Sequence, residues 1–64
     1  MSGGGHIIIN QAIKQALSDP LVHGMLPPED QAVVDPILAK DVNDWTMEDR
    51  HLAAKAFFWV AVNC

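Results

Sequence analysis

The chain has 64 residues, of which half are apolar, eight are acidic and four are basic, giving a formal net charge of −4. A chain of this length forms one domain with a thin core, and its single cysteine, Cys64, excludes an internal disulfide. The negative charge argues against direct binding to nucleic acid or to an anionic membrane surface, and it favours a basic partner.

The N-terminal segment MSGGGHIII lacks the basic region and the long apolar run of a signal peptide. No apolar run elsewhere approaches the roughly 18 residues that span a membrane. We therefore expect a cytoplasmic protein that does not enter a membrane, with a flexible N-terminal tail at residues 1–6 and a single helical domain at residues 7–64.

Apolar residues recur at helical spacing from Ile9 to Leu17, with polar side chains on the opposite side. This pattern predicts a helix with one buried stripe. The preceding run His6–Ile9 is rich in β-branched residues and is compatible with a short extended start. Because no second alternating run exists for it to pair with, we expect no sheet.

Two Asp-Pro pairs divide the middle of the chain. Asp19-Pro20 predicts an N-cap followed by proline in the first helical position, and Gly24 predicts the end of this one-turn helix. Pro28 begins the next helix. Asp35-Pro36 predicts a break, because proline disfavours helical geometry at the residue before it, so two short helices meet here. The second of these helices is expected to bury Ile37, Leu38 and Val42.

The last helix begins near Met47, because Thr46 and Asp49 match the capping-box pattern in its acidic variant. One face of this helix carries Leu52, Ala53, Ala56, Phe57 and Val60. The last two turns are apolar on every side, since they also contain Phe58, Trp59 and Val62. Such a helix end is buried either inside its own domain or by another chain. Together these elements predict an all-α fold, a compact small bundle of four or five helices, two of them long and the rest short.

Residues that could carry chemistry are scattered along the chain. The three histidines and the cysteine (His6, His23, His51 and Cys64) lack the paired short spacing of a zinc site. The serines and Thr46 lie in the tail or at helix ends, and no glycine-rich loop follows a strand. We therefore expect no catalytic residue, no metal site, no cofactor and no enzymatic activity.

The acidic residues are concentrated between residues 28 and 49, where Lys40 is the only base and the net charge is −6. Helix starts and caps account for most of them, since the positive end of a helix dipole favours carboxylates. Asp41 and Asp44 fit neither role, so they serve either solubility or a basic partner. Trp45 is either a core residue or an apolar anchor within this acidic surface. The predicted partner-binding residues are Glu29, Asp30, Asp35, Asp41, Asp44, Trp45, Glu48 and Asp49.

In its small size, its acidity and its segment PPEDQAVVDPILAKDVNDWTMED, the chain resembles the phage-encoded inhibitors known as anti-CRISPR proteins. The resemblance lies in size and charge and not in matched motifs, so no residue role is carried over from it. It implies binding to a CRISPR effector complex in the cytoplasm of a bacterial host. Such binding blocks access to DNA, in some members by imitation of DNA charge.

Our leading hypothesis is therefore a non-enzymatic interaction or inhibitor protein, a DNA mimic whose acidic face binds a basic protein or nucleoprotein complex. The alternative is a self-associating or partner-docking helical module that uses its apolar C-terminal helix. The chain is expected to be a monomer or a homodimer.

Overall fold

The computed structural model describes the backbone of residues 3–63 and the side chains of residues 8–63. The described chain contains no strand. Its elements are α1 (Gly3–Ser18), α2 (Pro20–Met25), α3 (Pro28–Leu38), a 3₁₀ turn (Val42–Asp44) and α4 (Met47–Asn63). The two long helices are α1 and α4. The predicted all-α bundle, with two long helices and several short ones, is confirmed.

Helix α1 starts earlier than the sequence pattern suggests. Its first residue is Gly3, so the backbone of His6–Ile9 is helical and not extended. With no partner strand available, continuing the helix pairs the backbone groups of this β-branched run. The predicted boundary between a tail at residues 1–6 and a domain at residues 7–64 falls inside α1. Met1, Ser2 and Cys64 lie outside the described residues.

The core lies between α1, α3 and α4, and Leu26 closes it at the end of α2. Leu17 and Val34 are its fully buried large side chains. The buried apolar residues of the core cluster are Ile13, Leu17, Leu26, Val34, Ile37, Ala53, Ala56 and Val60. The buried stripe of α1 is rotated from the predicted one, because it includes Asn10 and leaves Ile9 exposed.

Helix α2 begins as predicted and ends differently. The Asp19 carboxylate accepts a hydrogen bond from the Leu21 backbone N–H at 2.9 Å, with Pro20 in the first helical position. The prediction that Gly24 ends the helix is wrong, because α2 continues to Met25 and Gly24 has no positive φ. The Gln31 amide of α3 donates to the carbonyls of His23 and Leu26, at 3.2 and 2.9 Å. The carbonyl groups at the end of α2 are therefore paired by a side chain of a neighbouring helix. In a glycine-capped helix, backbone N–H groups would pair them instead.

The prediction of two short helices meeting at Asp35 is also wrong, because α3 runs unbroken through Asp35 and Pro36. Pro36 lies near the C-terminal end, so its missing N–H removes one backbone hydrogen bond from the last turn. Val34 and Ile37 on either side of it are buried, and their burial offsets this loss. As expected, Ile37 and Val42 are buried, whereas Leu38 is half-buried.

Candidate interaction surfaces

The predicted acidic site begins on α3, where its carboxylates point in different directions. Successive residues of a helix are about 100° apart, so Asp30 and Asp35 are separated by about 140° around the axis. Asp30 is half-buried and lines a groove between α3 and α4. Asp35 instead points toward α2, where its Oδ1 lies 2.7 Å from His23 Nε2 in a hydrogen bond. Glu29 is exposed and takes part in neither of these contacts.

Asp41 has a local structural role that was not predicted from the sequence. It is the N-cap of the 3₁₀ turn, and its Oδ1 accepts hydrogen bonds from the Asn43 backbone N–H at 2.9 Å and from Asn43 Nδ2 at 3.0 Å. The prediction that Asp41 fits no cap is therefore wrong. The signal was present in the sequence, because an aspartate side chain commonly accepts a hydrogen bond from the backbone N–H two residues later. This arrangement is an Asx turn.

Asp44 is exposed, and its side chain has no hydrogen-bond partner within the described residues.

The start of α4 confirms the capping box. The Asp49 backbone N–H donates to Thr46 Oγ1, and the Thr46 backbone N–H donates to Asp49 Oδ2, both at 3.1 Å. Lys40 Nζ also lies 2.7 Å from Asp49 Oδ2. This hydrogen bond from Lys40, with the one from the Thr46 backbone, holds the pKa of the Asp49 carboxyl below its ordinary value. Asp49 thus joins the chain before α4 to its first turn.

Trp45 holds the connection between α3 and α4 against the core. Its indole N–H donates to the Ile37 carbonyl at 3.0 Å, and the half-buried ring packs on the core cluster. Of the two roles left open by the sequence, the structure supports that of a core residue. Met47, two residues later, is 80% exposed between Asp44 and Glu48, which are exposed as well.

The eight predicted partner-binding residues therefore border different parts of the fold. Asp30 faces α4, Asp35 faces α2, and Asp41 borders an open cleft of about 640 Å³ between α1 and the 3₁₀ turn. In that cleft the Lys14 ammonium donates to the Lys40 carbonyl. Asp44 and Glu48 remain as exposed carboxylates near the start of α4.

Helix α4 carries a buried apolar stripe and a second stripe that is mainly apolar. The inner stripe of Ala53, Ala56 and Val60 is buried in the core. On the far side lies a second set of residues at spacings of three and four, within about 100° of one another around the axis. We call this set the outer stripe: Lys55, Phe58, Trp59 and Val62.

The apolar part of the outer stripe is exposed. Phe58 is 67% exposed and Val62 is 63% exposed, and more than a third of Trp59 is open to solvent. The sequence left open whether this helix end is buried by its own domain, and the fold of the single chain does not bury it. Phe57 is also exposed but lies on the other flank of α4, about 100° from Phe58.

A groove of about 200 Å³ runs beside the outer stripe, between α3 and α4. Its walls include Val33 and Asp30 from α3, and Lys55 and Trp59 from α4. Neither Asp30 nor Lys55 has a side-chain hydrogen bond or ion pair within the described residues. The groove therefore combines an apolar floor with one unpaired carboxylate and one unpaired ammonium group. Sequence reasoning missed Val33 and Lys55, because their proximity depends on how α3 packs against α4.

Comparison with known proteins supplies no relative: no family model, curated protein sequence or solved structure matches the chain. In the part of the chain that is described, no three or more His, Cys, Asp or Glu side chains are grouped so as to hold a metal ion. None of the described helices has both the length and the apolarity to cross a membrane.

Proposed function

We propose that this chain is a non-enzymatic interaction protein that contacts its partner through the outer stripe of α4 and the adjoining groove. The observation that carries the proposal is the exposure of Phe58, Trp59 and Val62 on a helix whose opposite face already fills the core. Contiguous exposed apolar surface on a small soluble domain is typical of an interaction site. Aromatic residues of this kind contribute strongly when an interface buries them.

The charge distribution is compatible with this role. An exposed apolar stripe promotes nonspecific association, and a net charge of −4 on a small domain opposes it. The carboxylates between residues 28 and 49 then act mainly as caps, local ion pairs and solubilising groups. Asp41, Asp35 and Asp49 each have such a local contact.

The test is capture of binding proteins on immobilised wild-type chain and on two variants that add the same charge at exposed apolar positions. Phe58→Asp places a carboxylate in the outer stripe, whereas Leu21→Asp places one on α2, where Leu21 is 81% exposed. We expect a partner that is retained at high salt by the wild type and Leu21→Asp and lost by Phe58→Asp, because apolar contacts are not screened. Equal retention by all three proteins would place the contact elsewhere.

A second candidate is the acidic inhibitor, favoured by the exposed Met47 between the unpartnered carboxylates of Asp44 and Glu48. In this proposal a basic, nucleic-acid-binding partner such as a CRISPR effector complex takes these carboxylates in place of phosphates. Asp44→Asn with Glu48→Gln would lower the salt concentration that releases the partner, because each removes an exposed charge without disturbing a cap. Asp41 and Asp49 are unsuitable for this test, since changing them also removes local hydrogen bonds. Release of the double variant at the same salt concentration as the wild type would contradict the acidic inhibitor.

A further inference from the structure

We propose that the occupant of the outer stripe and its groove is a second copy of this chain, packed as a two-fold symmetric dimer with α4 against α4. This inference rests on the proposed function of the outer stripe as a contact surface. It goes further by naming the partner and the side chains that select it.

The patch is complementary in charge to itself. In a two-fold interface the same patch is used by both copies, so such self-complementarity is required. The groove presents Asp30 on the α3 wall and Lys55 on the α4 wall, and neither is paired within the described part of its own chain. A two-fold axis near Phe58 and Trp59 allows Asp30 of each copy to face Lys55 of the other. The proposed arrangement then contains two ion pairs around an apolar centre.

The area of the patch also suits a second copy. A buried aromatic residue covers about 150–250 Å², so the exposed parts of Phe58, Trp59, Val62 and Val33 provide about 400 Å² of apolar surface per copy. With the surrounding rim, two copies bury about 1,000 Å² in total, which is below the roughly 1,200–2,000 Å² of stable complexes and within the range of weak, transient ones. We therefore expect a weak, concentration-dependent dimer.

The oligomeric state tests the proposal directly. Sedimentation equilibrium from about 1 µM to about 1 mM should show the mass rising from 7.0 kDa toward twice that value. Phe58→Asp should remain a monomer over this range, because it introduces two carboxylates at the centre of the interface. Leu21→Asp should dimerise like the wild type. A wild-type chain that stays monomeric at about 1 mM would overturn the dimer.

A charge exchange tests the paired residues. In a dimer of Asp30→Lys alone, two lysines would face each other across each groove, and in a dimer of Lys55→Asp alone, two aspartates would face each other. Each variant by itself should dimerise about fivefold more weakly or worse. An equimolar mixture of the two should form a heterodimer at least as tight as the wild-type dimer, because both facing pairs are then of opposite charge. A mixture no tighter than either variant alone would overturn this assignment, provided that circular dichroism shows both variants to be folded.

The two proposals fail in different ways. If the wild type is monomeric but Phe58→Asp still loses a captured partner, the outer stripe is a contact surface for a different protein and only the dimer is overturned. If the wild type dimerises and Phe58→Asp captures the same proteins as the wild type, the dimer proposal is retained. Other partners then bind elsewhere on the chain.

Discussion

Gly24 occupies a helical position that suits alanine better than glycine. It lies inside α2 without a positive φ, and a Cβ built there has no neighbouring atom within 4 Å. Glycine in a helix loses more backbone freedom on folding than alanine does. Gly24→Ala should therefore raise the free energy of unfolding by about 0.5–1 kcal/mol in urea denaturation. A decrease would show that the end of α2 needs a conformation that alanine resists.

Asp49 links stability to pH. Its pKa is lowered in the folded state, chiefly by the hydrogen bond from Lys40, relative to about 3.9 in an unfolded chain. A carboxyl with a lowered folded-state pKa contributes stability that is present above the unfolded value and is lost as pH falls through the folded value. Asp49→Asn should therefore destabilise the domain at about pH 7 and flatten the decline in stability below about pH 4.

The measurement for Asp49 is chemical denaturation at a series of pH values. Asp44→Asn is the matched control, because Asp44 is exposed and its side chain has no partner within the described residues. The control should follow the pH dependence of the wild type. If the Asp49→Asn curve runs parallel to the wild-type curve at every pH, the ion pair with Lys40 does not couple to folding.

At the scale of an element, α3 tolerates a proline that the sequence pattern predicts to be a break. Pro36→Ala supplies the N–H that can reach the carbonyl four residues earlier, and it removes the ring clash with that turn. Part of this gain is offset because alanine leaves the unfolded chain more flexible than proline does. We expect a net stabilisation of about 1–2 kcal/mol.

Pro20→Ala is the control for this prediction. Pro20 is the first residue of α2, where its missing N–H has no helical partner to lose. That substitution should leave stability unchanged or lower it by a few tenths of a kcal/mol. Equal effects of the two substitutions in thermal denaturation would mean that α3 is not strained at Pro36.

The same elements show which local signals the sequence contains. The Asp19 cap and the capping box of Thr46 and Asp49 were predictable, because donor and acceptor lie within three residues of each other. The end of α2 was not predictable, because its carbonyls are paired by Gln31 from another helix. The continuity of α3 was likewise decided by burial of Ile37, which no local rule for proline takes into account.

At the scale of the whole molecule, the domain depends on a few buried side chains. A core of this size contributes roughly 3–5 kcal/mol of net stability, and removing a buried leucine side chain to alanine costs about 2–5 kcal/mol. Leu17 is fully buried between the helices. Leu17→Ala should therefore remove most of this net stability, as measured by urea denaturation followed by helical circular dichroism.

Leu21→Ala provides the matched comparison, because the same side-chain atoms are removed from a position that is largely exposed. Its stability should lie within about 0.5 kcal/mol of the wild type. A comparable loss of stability in both variants would mean that the Leu21 side chain is buried in solution, although a single copy of the chain leaves it exposed.

The exposed outer stripe is not the result of a loose fold. The accessible surface of the chain is 4273 Å². A compact monomer of 7.0 kDa is expected to expose about 4,000 Å², so the domain is nearly as compact as its size allows. The apolar residues on the outside of α4 therefore remain exposed although α1 and α3 pack against this helix.

The sequence by itself determined that the chain is helical, where α2 and α4 begin, and that α4 is apolar on more than one side. Those properties depend on residue spacing and on hydrogen bonds between near neighbours. The sequence also grouped Ala53, Ala56 and Val60 on one face of α4. Only the tertiary structure decided that this face enters the core while Phe58, Trp59 and Val62 stay exposed. Ala53 and Ala56 are small enough for neighbouring helices to approach closely, so that face joins the core. The bulkier Phe58 and Trp59 are left facing outward, because packing selects a face by the volume of its side chains as well as by their hydrophobicity.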